Sequence, residues 1–128
     1  GVARGRNELG FSVKDSDVRG ATAAFITPEQ RDEQKYGNPG RRTDIYQLGV
    51  IFYELLTGYL PYSPEAFQKS GHEGTFEDHA DELILPSAFR KSLEKYDPII
   101  VRMLSRKKSG RYYLMDEFIK DLDSVRKA

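Results

Sequence analysis

The stretch that most constrains this chain is Thr43-Asp44-Ile45-Tyr46-Gln47-Leu48-Gly49-Val50-Ile51-Phe52-Tyr53-Glu54-Leu55-Leu56-Thr57-Gly58. It reads as one helix with both ends marked. Thr43 is placed as N-cap, Asp44 puts a negative charge at the helix N-terminus, and Gly58 is placed to stop it. Between those ends Ile45, Leu48, Val50, Ile51, Phe52, Tyr53, Leu55 and Leu56 cover nearly every face. A helix apolar all round is a buried one, so other elements are expected to wrap around it. Gly49 at its centre costs about 1 kcal/mol against Ala, which predicts that another backbone comes close there. An ordinary core helix accounts for the apolar residues but not for a central Gly or an acidic residue at its mouth.

The 128 residues make one domain's worth of chain, enough for a modest core. Twenty basic residues balance twenty acidic ones, so no global field argues for nucleic acid or membrane as a partner. Without cysteine the chain has no disulfide or thiolate chemistry, and a reducing compartment is permitted. No run approaches the roughly 18 apolar residues of a membrane-spanning helix, and no signal-peptide pattern opens the chain. Its first residue is Gly rather than Met, from which a processed chain or a fragment is expected.

Residues 1–21 show no sustained period and read as an irregular segment. Ser12 and Ser16 lie there among charges; each reads as a solvated loop serine or, more sharply, as a phosphorylation site that nearby Arg could engage. Thr27 as N-cap, Pro28 at the first helical position and Glu29 with Gln30 in the first turn start a short helix, which Gly37-Asn38-Pro39-Gly40 breaks. Ser63-Pro64-Glu65 starts another, with Ala66 and Phe67 as its apolar side. Residues 69–82 are polar and acidic. His72 and His79 with their neighbouring carboxylates are not a dedicated zinc spacing, so the segment reads as a solvated loop without a metal. Residues 83–96 hold an apolar patch and a turn of helix. Asp97-Pro98 opens a helix with Ile99, Ile100, Met103 and Leu104 on one face. Residues 106–111 read as a basic, solvated connector. The last helix is expected from about Leu114 to Val125, with Leu114, Phe118, Ile119, Leu122 and Val125 as its stripe. No segment alternates like a strand. The fold class is therefore mainly α, with about five or six helices around a buried central one and an irregular arm at the start.

The order of motifs resembles the C-terminal lobe of a serine/threonine protein kinase of the bacterial, eukaryotic-like type. Gly1-Val2-Ala3-Arg4 is similar to the Gly of Asp-Phe-Gly and the residues after it. Ala21-Thr22-Ala23-Ala24-Phe25-Ile26-Thr27-Pro28-Glu29-Gln30 resembles Gly-Thr-x-x-Tyr-Met-Ala-Pro-Glu-Gln. Asp44 to Val50 resembles Asp-Ile-Tyr-Ser-Leu-Gly-Val, extended by Glu54 to Gly58 and by Leu60-Pro61-Tyr62. Gly110-Arg111-Tyr112 and Asp116-Glu117-Phe118 resemble the Arg-Tyr and Glu-Glu-Phe pattern. The departures are Ala21 for Gly, Thr27 for Ala and Gln47 for a small residue. The resemblance implies a helical kinase subdomain over 31–128 behind an activation segment at 1–30.

It also implies roles. Glu29 would pair with Arg111, Asp44 would accept hydrogen bonds from the catalytic-loop backbone, and Gly49 would lie in the anchoring helix motif. Thr22 would stand beside the catalytic Asp, as fits Ser/Thr acceptors, and Phe25 and Ile26 would line the pocket for the residue after the acceptor. Phosphoryl transfer needs a Gly-rich loop, a strand Lys, a catalytic-loop Asp and Mg²⁺ held by an Asp and an Asn. None of these motifs is in the chain, so ATP and Mg²⁺ are expected for the complete kinase and not for this segment, which holds no catalytic residue of its own. The partners implied are a protein substrate and the preceding part of the kinase domain. Self-association is the further expectation, through apolar surface around Ile45, Leu48 and Phe52. The resemblance implies a cytoplasmic kinase domain in a parent that could be membrane-anchored. The alternative is a non-catalytic, kinase-like scaffold lobe acting through protein–protein contacts.

Overall fold

A computed structural model describes residues 24–127. Ser12, Ser16 and Thr22, together with the matches at Gly1–Arg4 and Ala21, lie outside the described residues. Among the described residues there are six α-helices and no strand. They are α1 (Pro28–Arg31), α2 (Glu33–Tyr36), α3 (Arg41–Thr57), α4 (Pro64–Ser70), α5 (Asp97–Met103) and α6 (Met115–Lys127). Four short 3₁₀ turns join them at Glu77–His79, Pro86–Ala88, Lys91–Tyr96 and Lys108–Gly110.

The start signals act locally as the residue types dictate. Thr27 caps α1 reciprocally: its Oγ1 accepts from the Gln30 N–H at 3.3 Å, and Gln30 Oε1 accepts from the Thr27 N–H at 2.9 Å. The single helix expected after Pro28 is two short ones. Asp32 leaves helical geometry at φ −146° and ψ 85°, and its carboxylate accepts from the Lys35 N–H to cap α2. Ser63 caps α4 through the Ala66 N–H at 3.1 Å. Gly58 ends α3 in the left-handed region at φ 85°, where a side chain would be strained.

Helix α3 begins a turn earlier than Thr43. Thr43 sits at its third position, where Oγ1 accepts from the Gly40 N–H at 2.8 Å and donates to Glu29 at 2.7 Å. Two apolar clusters flank this helix. One joins Ile45 to Ile99, Met103, Tyr112 and Phe118; the other joins Tyr46, Val50 and Tyr53 to Ile100 and Leu104. Helix α5 thus supplies both clusters from the single apolar face expected of it, and α3 and α5 lie close together. A Cβ on Gly49 would stand 2.8 Å from Met103 Cβ and 3.0 Å from Leu104 Cδ2. Glycine is what permits that approach.

Helix α3 is not buried all round. Ile51 is 44% and Leu55 78% exposed, while Ile45 is buried and Leu48 and Phe52 pack partly against the first cluster. Asp44, Ile51 and Leu55 are exposed and recur with the half-buried Leu48 at helical spacing, so the less covered side is one stripe. In α6 the expected stripe divides likewise. Phe118 is buried and Leu122 and Val125 pack, but Leu114 and Ile119 are exposed, because the core lies against one side of a narrow helix. Among the described residues no helix is long and apolar enough to cross a membrane.

Candidate functional site

The focus of the molecule is a charge pair that no local signal joins. Glu29, in the first turn of α1, and Arg111, in what reads as a solvated basic connector, both have fully buried side chains. Arg111 NH1 donates to Glu29 Oε2 at 2.7 Å and NH2 to Oε1 at 2.8 Å, a bidentate pair. The remaining donors are used too: Nε reaches the Ser105 carbonyl at 2.7 Å, NH1 the Arg42 carbonyl at 3.0 Å and NH2 the Arg106 carbonyl at 3.3 Å. The guanidinium lies 4.9 Å from the Tyr46 ring centroid. Burial pushes the Glu29 carboxyl up, but the hydrogen bonds from Arg111 and Thr43 outweigh it and hold the group down at about 2. The same burial raises the Tyr46 phenol to about 12, so it stays neutral beside the guanidinium.

One ion pair therefore ties four parts of the chain together: α1, the start of α3, the loop after α5, and the segment leading into α6. Arg42 adds to this by donating to the Lys108 carbonyl at 3.2 Å. The backbone just before α1 is held from a second side, because Gln47 Nε2 donates to the Phe25 carbonyl at 3.3 Å. Phe25 is half-buried against the second cluster, and Ile26 stands open at the surface. Two departures from the kinase pattern gain a physical reason here: Thr27 caps α1 and Gln47 braces Phe25.

Asp44 stands apart from the pair. It is exposed, beside a pocket of about 330 Å³ that Arg41, Ile45, Leu114, Met115 and Asp116 also line. Among the described residues no hydrogen bond reaches its carboxylate. Gly49 is buried at the crossing with α5, away from both Asp44 and the pair. Sequence reasoning did not single out Thr43 as a ligand of Glu29, Tyr46 as the platform for Arg111, or Gln47 as a brace. Each acts across 14 or more residues of chain, a distance that helix periodicity and capping rules do not see.

Among the described residues no three His, Asp or Glu side chains converge to hold an ion. His72 and His79 pack instead against Phe67, and His79 pairs with Glu82 at 3.0 Å. What the arrangement can do is hold one backbone segment, residues 24–31, rigidly against a helical base.

Comparison with known proteins places that base. The serine/threonine-protein kinase PknB of Mycobacterium tuberculosis is 29% identical over 126 residues, covering 98% of this chain and 19% of that protein. Serine/threonine-protein kinase A of Synechocystis is 31% identical over 105 residues, covering 81% of this chain and 19% of that protein. PknL of Mycobacterium tuberculosis is 43% identical over 56 residues, 43% of this chain and 13% of its own length. No protein-family model and no solved structure matches the chain. The chain spans about one fifth of the length of the first of these curated relatives. It is a kinase-related segment whose helices correspond to the helical part of a serine/threonine kinase's C-terminal lobe.

Proposed function

We propose that this chain is the activation-segment and substrate-docking part of a serine/threonine protein kinase that transfers the ATP γ-phosphate to Ser or Thr of proteins. The activation segment covers 1–30 and the helical subdomain 31–128. The observation that carries the reading is the buried Glu29–Arg111 pair, because it fixes residues 24–31 against the base of the lobe. Phe25 and Ile26 then line the pocket for the substrate residue after the acceptor, and Thr22 helps orient the acceptor hydroxyl. Positioning of this kind is most of what a kinase contributes to phosphoryl transfer.

The remaining kinase machinery lies in sequence that precedes Gly1 in the parent. Its catalytic loop hydrogen-bonds to Asp44, and its apolar elements cover Leu48, Ile51 and Leu55. By itself the chain is inactive, and its bare stripe drives self-association. The parent carries its kinase domain on the cytoplasmic side, whether or not it is anchored to a membrane.

The test is a phosphotransfer assay on the parent and on the 128-residue chain, each with ATP, Mg²⁺ and a protein substrate. Labelling of Ser or Thr by the parent alone is the expected result. A folded parent that transfers no phosphate, with degenerate His-Arg-Asp and Asp-Phe-Gly motifs, would instead make the chain a lobe of a kinase-like scaffold. Light scattering tests the stripe: a clean monomer of the isolated chain at high concentration counts against its role.

A further inference from the structure

The turn that delivers Arg111 to Glu29 keeps positive charge that no described residue neutralises. From Ser105 to Tyr113 the chain carries Arg106, Lys107, Lys108 and Arg111 and no carboxylate. Arg106 is matched by Asp81 at 3.5 Å, and Arg111 by Glu29. Among the described residues Lys107, Lys108 and the neighbouring Arg42 form no ion pair. Arg42 reaches this turn from the start of α3. Its NH1 donates to the Lys108 carbonyl, so the guanidinium lies against the peptide unit that joins Lys108 to Ser109. Lys108 Nζ is 2.5 Å from the Asn38 carbonyl.

Ser109 stands among these cations. It is exposed, and among the described residues no hydrogen bond uses its hydroxyl. The backbone that carries it is fixed. The Gly110 N–H donates to the Lys107 carbonyl and the Arg111 N–H to the Lys108 carbonyl, each at 3.0 Å, and a Cβ on Gly110 would collide with Ser105 Oγ. The other described serines lack this combination. Ser63, Ser70 and Ser105 spend their hydroxyls on backbone carbonyls, and Ser87 is half-buried. Ser124 follows Asp121 and Asp123, and Ser92 has Glu94 two residues on.

We propose that Ser109 is a phosphorylation site whose phosphate is held by Arg42, Lys107 and Lys108. In the step, Ser109 Oγ attacks the γ-phosphorus of ATP bound to a serine kinase. The Oγ–P bond forms as the bond to the β,γ-bridging oxygen breaks. ADP leaves with that electron pair, and the hydroxyl proton passes to the kinase's base. The product carries a charge of about −1.5 to −2 and three strong acceptor oxygens, placed where the surrounding side chains are donors. The planar fork of Arg42 suits a phosphate, with the two lysines as point charges beside it. A second charge contact then ties the connector after α5 to the head of α3, two residues from Arg111 and its hold on residues 24–31. The inference concerns Ser109 as an acceptor and stands whether or not the parent is itself a working kinase.

The test begins with the parent isolated from the cells that make it, cut after Glu and read by mass spectrometry. Phosphate on Ser109 is the expected result, and Ser109→Ala should remove it. The same parent with its catalytic Asp replaced identifies the donor: retained phosphate points to another serine kinase, lost phosphate to the parent. The cations are tested on the 128-residue chain with phosphoserine incorporated at 109, titrated by phosphorus NMR beside the peptide Arg-Lys-Lys-phosphoserine-Gly-Arg. A serine phosphate loses its second proton near about pH 6. In the chain it is expected to be at least about threefold more acidic than in the peptide, which has both lysines but lacks Arg42. Arg42→Gln should restore the peptide's value, Arg42→Lys should keep most of the difference, and Lys69→Gln on α4 should leave it unchanged. No phosphate on Ser109 in the isolated parent, a titration equal to the peptide's, or indifference to Arg42→Gln overturns the inference.

Discussion

The two sides of α3 are made of the same residue types and have opposite fates. Ile45, Tyr46, Val50 and Tyr53 face α5 and its neighbours and are closed off from solvent. Ile51 and Leu55 stand open down the other side beside the half-buried Leu48, and at its head lies Asp44, whose carboxylate no hydrogen bond reaches among the described residues. The difference is not one of hydrophobicity. On one side Gly49 lets a second helix approach and the Glu29–Arg111 pair locks the surrounding loops; on the other, no described residue completes the packing. An apolar side without a partner in hand is the mark of a surface that something else covers. A helix can thus be the core of a domain and yet show only half of that core in one segment.

The largest effect expected on the closed side comes from breaking the ion pair. Glu29→Ala or Arg111→Ala should each cost about 3–5 kcal/mol in denaturant unfolding, since each leaves a buried charge uncompensated. The double variant should lose much less than the sum, and additive losses would remove the pair from the account. Next in size is the pH response. Glu29 is held at about 2 against an ordinary 4.5, so its contribution is complete above about 4.5 and is lost as pH falls from there towards 2. Each tenfold gain in acidity on folding is worth about 1.4 kcal/mol, so roughly 3 kcal/mol of stability should disappear across that window. A variant with Glu29→Met and Arg111→Met should lack this component; an equal acid response in both proteins would contradict it.

Gly49→Ala should follow. Its helix-propensity gain of about 1 kcal/mol is opposed by contacts of 2.8 and 3.0 Å, so a net loss of about 1–2 kcal/mol is expected by thermal melting. A stabilised variant would show that the α3–α5 crossing is looser than described. The smallest effect belongs to the bare side. Leu55→Gln in the isolated chain should change stability by no more than about 0.5 kcal/mol. It should nonetheless reduce self-association measured by light scattering, and a large destabilisation would mean that the stripe is covered within the chain itself.

Much of this was legible locally. Thr27-Pro28, Ser63-Pro64 and Asp97-Pro98 start helices where their chemistry says they should, and Gly58 stops one. The face of α5 was readable because Ile99, Ile100, Met103 and Leu104 all find partners nearby. What was not legible depended on who the partner is. Apolar spacing marks Leu55 and Tyr53 alike, and only the three-dimensional neighbours separate them. Thr43 reads as an N-cap by type, but its hydroxyl is drawn to Glu29, and the helix begins at Arg41 instead. Arg111 sits in a run that composition marks as solvated, and the kinase resemblance alone pointed to its pairing with Glu29. The Tyr46 platform and the Gln47 brace left no pattern that a period or a cap could reveal.

The claim that one side of α3 is covered by the rest of a kinase domain has a direct measurement. The chain contains no cysteine, so Leu55→Cys provides a single thiol reporter on the stripe. Its maleimide labelling rate is compared between the isolated 128-residue chain and the parent protein, with any thiols preceding Gly1 replaced. The account predicts labelling close to that of a free thiol in the chain and slowing of at least about 10-fold in the parent, as for a side chain removed from water. Equal, rapid labelling in both would show that the stripe stays bare and that the parent does not pack there.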